Sequence, residues 1–149
     1  MTILFHHEPP SGAPIVCDFS GAPDTPEERL AEYGRLFRSG PVGRQRTATG
    51  VVLTFAGTGK APWVADLAAR EAACCPFMAY RVTLDHGSVR WETSGAAEVQ
   101  PILDQYYALY DAAVTTSVDD LISRLGERGF VVNLTTPARR DEPPSGQPA

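Results

Sequence analysis

Apolar residues recur in this chain with two periods, and the changes between them mark out its elements. From Phe77 to Leu84 the pattern alternates, with Met78, Tyr80, Val82 and Leu84 on one side, as in a half-buried strand. Asp85-His86-Gly87-Ser88 is a turn signal, and Val89, Trp91 and Thr93 continue as the partner strand. Val42–Ala48 and Val51–Ala56 form a second hairpin, turned at Thr49-Gly50. Ile15–Phe19 reads as a short strand. Between these segments the period changes to 3.6. Thr25-Pro26-Glu27-Glu28 starts a helix with a capping residue, a proline at the first helical position and a glutamate that completes a capping box. Leu30, Tyr33, Leu36 and Phe37 form its buried stripe, and Ser39-Gly40-Pro41 ends it.

A second helix opens at Pro62 and stops before Pro76, because a residue preceding proline resists helical angles. Ser94-Gly95 leads into a third, through Val99, Ile102, Leu103, Tyr106, Leu109 and Tyr110. Ser117 caps a fourth, with Val118, Leu121, Ile122 and Leu125, closed by Gly129 and followed by a strand over Phe130–Leu134. Hairpins dominate this order. The expected fold is α+β, a mostly antiparallel sheet with helices packed on one face. Residues 1–14 read as an N-terminal tail, 15–134 as one domain with 114–134 an added helix–strand unit, and 135–149, rich in Pro and Arg, as a disordered tail.

The helix from Pro62 carries the chemistry. At ~100° per residue from Trp63, Cys74 falls near ~20°, Glu71 near ~80° and Cys75 near ~120°, in the same arc as Val64, Leu67 and Ala68. A carboxylate thus sits inside an apolar stripe, one turn before two adjacent thiols. A charge facing a core is costly unless something pairs with it; Arg81, Arg70 or an arginine of the first hairpin are the candidate partners. Two thiolates and a carboxylate suit a soft or borderline metal or metalloid, of the zinc, copper, mercury or arsenic class. Cys74, Cys75 and Glu71 are the candidate ligands, with Cys17 from a predicted strand as the further one and Phe77 and Tyr80 lining the site. His86, His6 and His7 are weaker candidates. Cys75-Pro76 also matches the two-residue element of some haem-thiolate sites, although the proline already has a structural role. An alternative is a cysteine-dependent enzyme for a small molecule, with Cys75 at the reacting centre and Glu71 as general acid or base. Another is a dimeric structural protein whose cysteines are core.

Other features narrow the field. Gly57-Thr58-Gly59-Lys60 is not a phosphate loop, since Thr54 and Ala61 stand where glycine and Ser or Thr are required. Trp63 and Trp91 read as core, and Tyr106, Tyr107 and Tyr110 as core, rim or a dimer contact. The chain of 149 residues carries 13 Lys and Arg against 18 Asp and Glu, a net charge of −5. That balance argues against nucleic acid and anionic membrane surfaces as partners. The expected partner is a small molecule or metal ion, with a homodimer as an option. Three cysteines, an odd number, and no signal-peptide pattern fit a reducing cytoplasm.

The run Glu71-Ala72-Ala73-Cys74-Cys75-Pro76-Phe77 resembles a family of small, mostly uncharacterised bacterial proteins that share a Glu-x-x-Cys-Cys-x-Phe element. It is also similar to a module at the end of some MerR-type metal-responsive regulators. Thr25–Leu30, Val51–Phe55 and Tyr106-Tyr107 fit the same pattern, and the resemblance spans roughly residues 15–110. It implies metal or metalloid contact through Cys74 and Cys75. The chain lacks the regulators' winged-helix DNA-binding portion and departs from the pattern after Tyr110.

Overall fold

The computed structural model describes residues 1–112, 117–127, 129 and 131–133. Among them are four α-helices and seven strands, an α+β fold. Five strands form one antiparallel sheet: β1 (Thr2–His7), β3 (Val42–Arg46), β4 (Gly50–Ala56), β5 (Ala79–Asp85) and β6 (Ser88–Ser94), in the order β1-β5-β6-β4-β3. The predicted hairpins are its centre. Val82 pairs with Trp91 and Trp91 with Leu53, so the alternating apolar residues of three strands share one face. That face is the core, with Tyr80, Val82, Val89 and Phe55 fully buried. The opposite face carries Arg81, Glu92, Arg90 and Thr54 and is polar, as expected for an antiparallel sheet covered on one side. Gly50 is required by close approach: a Cβ there would lie 2.1 Å from the Thr93 carbonyl oxygen.

Three helices cover the inner face. α1 (Pro26–Arg38) begins with the expected capping box: the Thr25 hydroxyl accepts from the Glu28 amide at 3.1 Å, and Glu28 accepts from the Thr25 amide at 3.0 Å. α2 (Ala61–Cys74) packs on β5 and β1, and α3 (Gln100–Ala112) on β4 and β3. α4 (Val118–Glu127) lies against α1. β2 (Val16–Asp18) and β7 (Val131–Asn133) form a separate parallel pair.

Two sequence expectations change. Residues 2–7 are not tail: they form β1, an edge strand on β5, and His7 donates to the Pro76 carbonyl at 2.9 Å. The last strand pairs in parallel with β2, outside the antiparallel sheet. The expected disordered segment 135–149 lies outside the described residues, as does most of the link between α3 and α4. Among the described residues no helix is long and apolar enough to cross a membrane.

Candidate functional site

Glu71 is buried, 6% exposed, and its partner is Arg29 of α1 rather than any arginine expected from the sequence. The Arg29 guanidinium donates to Glu71 Oε1 at 2.8 Å and to both oxygens of Asp24, at 2.6 and 2.7 Å. It also lies over the Phe19 ring, 4.8 Å from its centre. The Tyr106 hydroxyl of α3 donates to Glu71 Oε2. Both carboxylate oxygens are therefore engaged, one by a cation and one by a phenol. Burial works against the Arg29 charge, but Asp24 and Glu71 outweigh it and hold the guanidinium firmly protonated. A second arginine, Arg70, joins Asp24 to Glu32 and Asp66 at the rim.

The two adjacent cysteines part company at the end of α2. Cys74 is the last helical residue, and its sulfur lies 3.8 Å from two nitrogens of Arg29. Cys75 is the cap, with φ −126° and ψ 67°, still donating its amide to the Glu71 carbonyl at 2.8 Å. Pro76 enforces that departure from helical angles. The turn swings the Cys75 sulfur to within 2.7 Å of Cys17 Sγ on β2. All three cysteines are free thiols. So Cys75 pairs with Cys17, and Cys74 belongs to the charged cluster. The contact with Cys17, and then burial, push the Cys75 thiol well above its ordinary pKa. Burial also raises Cys74, with Arg29 opposing.

Cys17 and Cys75 form part of the wall of a cavity of about 130 Å³ between α1, α3, α4 and β2. Leu30, Ile102, Leu109, Val118, Leu121 and Ile122 supply most of its lining. Its polar end is Glu71, Arg29, Tyr106 and Tyr33. Tyr33 is 3% exposed and stacks on Trp91. Burial first, then the nearby Glu71 charge, raises the pKa of Tyr33 and of Tyr106 well above that of free tyrosine.

The four expected metal ligands are thus split between two neighbouring clusters. Among the described residues no three His, Cys, Asp or Glu side chains are grouped to hold a metal ion. Phe77 and Tyr80, the expected lining residues, are buried in the core and are not part of the cavity wall. Tyr80 instead donates to the Cys75 carbonyl at 3.1 Å, which fixes the backbone that aims Cys75. His6 pairs with Glu8 and His86 with Asp85, away from the thiols. Arg29 and Tyr106 are the residues that sequence reasoning missed. No family model, curated protein or solved structure matches the chain.

Proposed function

We propose that the chain captures a trivalent metalloid of the arsenic class between the sulfurs of Cys17 and Cys75. One observation carries this reading: two free thiols from distant segments, 2.7 Å apart, in the wall of an apolar cavity. Thiolates hold soft centres, and two of them make a clip.

The choice among soft centres follows from charge. Both thiols are buried, and that of Cys75 strongly resists ionisation. A divalent cation must displace two protons from them into water. Arsenous acid brings its own hydroxyl groups: two As–O and two S–H bonds break, two As–S bonds form, and two waters leave. The product is neutral, as an apolar wall favours. Glu71 is not a ligand in this reading, since Arg29 and Tyr106 occupy both of its oxygens. The same facts weigh against nucleophilic catalysis, which needs a thiolate at neutral pH.

The test is titration of the reduced, full-length chain with arsenite, with bound arsenic measured in the unaltered chain and in each Cys→Ser variant. The expected result is one arsenic per chain, lost in Cys17→Ser and in Cys75→Ser and kept in Cys74→Ser. Loss in Cys74→Ser with binding kept in Cys17→Ser, or no binding at all, overturns the reading.

A further inference from the structure

The clip leaves a pyramidal centre with one more bond to make, and the surroundings of the sulfurs describe what that bond should carry. No free carboxylate, imidazole or third thiol faces Cys17 and Cys75 among the described residues: Glu71 is engaged and Cys74 is turned onto Arg29. What does face them is a cavity of about 130 Å³ walled mainly by Leu, Ile and Val from α1, α3 and α4. An apolar space of ~150 Å³ takes a benzene-sized guest. An arsenous hydroxyl group finds no hydrogen-bond partner in the hydrocarbon part of this wall, whereas a ring buries its surface against it.

From these observations we infer that the natural ligand is a monosubstituted organic arsenical, R–As(OH)2, whose R group is about the size of a benzene ring. This inference rests on the clip formed by Cys17 and Cys75. Capture conserves oxidation state: two As–O and two S–H bonds break, two As–S bonds form, two waters leave, and the As–C bond stays intact.

The test uses the full-length reduced chain and two probes, arsenite and phenylarsonous acid, with bound arsenic measured at equilibrium. Each affinity is divided by that for dithiothreitol, which removes the intrinsic preference of any dithiol. The corrected affinity should rise by at least about tenfold from arsenite to phenyl, given the area of a buried ring. Leu109→Trp and Val118→Phe, on different helices, fill the cavity; at least one should abolish the phenyl gain while arsenite still binds. If neither probe binds, or if both bind Cys17→Ser and Cys75→Ser as they bind the unaltered chain, the clip itself is wrong. If both bind through Cys17 and Cys75 with a ratio equal to that for dithiothreitol, the clip stands and the cavity assignment falls.

Discussion

Cys74 and Cys75 are neighbours in sequence yet belong to regions built on opposite principles. The region around Cys74 is ionic: Arg29 is held by Asp24 and Glu71, and Tyr106 completes the carboxylate. Every strong donor and acceptor in it is paired. The region around Cys75 is its converse: two buried thiols beside a largely apolar cavity. The first region is saturated, which suits it to fix α1, α2 and α3 relative to one another. The second has capacity left over, which suits it to take up a ligand. A pair of adjacent cysteines therefore does not have to act as a pair. One residue of backbone, bent by the approach to Pro76, separates a scaffold from a site.

The ionic region is most vulnerable at Arg29. Arg29→Met leaves Glu71 buried with no cation, and urea unfolding should show a loss of about 3–5 kcal/mol. Adding Glu71→Gln to that variant should recover part of the loss, because the two sites are coupled. Tyr106→Phe removes one donor to the same carboxylate and should cost about 1.5–3 kcal/mol, without changing which cysteines arsenite protects.

The pH dependence sharpens the contrast. Asp24 is lowered because the Arg29 hydrogen bond and the charges of Arg29 and Arg70 together outweigh the larger single effect of its burial. Glu32 is lowered chiefly by its hydrogen bond to Arg70. Depressed carboxylates stabilise the fold above their unfolded pKa, near ~4, and this contribution is lost as pH falls through their folded values. Asp24→Asn and Glu32→Gln should each flatten that acid limb. The thiol of Cys75 runs the other way. Its folded pKa lies above the unfolded value of ~8.5, so stability is full below that pH and declines as pH rises beyond it. Cys75→Ser should remove part of the alkaline decline in urea midpoints. The smallest effect belongs to Cys74→Ser, which should cost about 1 kcal/mol and leave arsenite uptake unchanged.

Much of this was legible in the sequence, for reasons that separate the successes from the misses. The central hairpins and the start of α1 rest on local signals, namely alternation, turn residues and a capping box, and they appear where expected. The burial of Glu71 followed from its place in an apolar stripe. The same arithmetic finds Arg29: relative to Tyr33 it falls near ~−40°, between Leu36 and Tyr33 on the buried side of α1. Two opposite charges misplaced on two apolar faces were a readable pair. Tyr106 carried no comparable signal, because a tyrosine on a buried stripe is ordinary packing until its hydroxyl finds a partner. The divergence of the two sulfurs depended on cap angles that no periodicity encodes. The pairing of β1 with β5, and of Val16 with Val131 between β2 and β7, are long-range contacts with no local signature.

The most direct measurement is the arsenic bound per folded, reduced chain in Cys74→Ser set against that in Cys17→Ser. Cys74→Ser should still take up one equivalent and Cys17→Ser none. Uptake by Cys17→Ser, or its loss in Cys74→Ser, would contradict capture between Cys17 and Cys75.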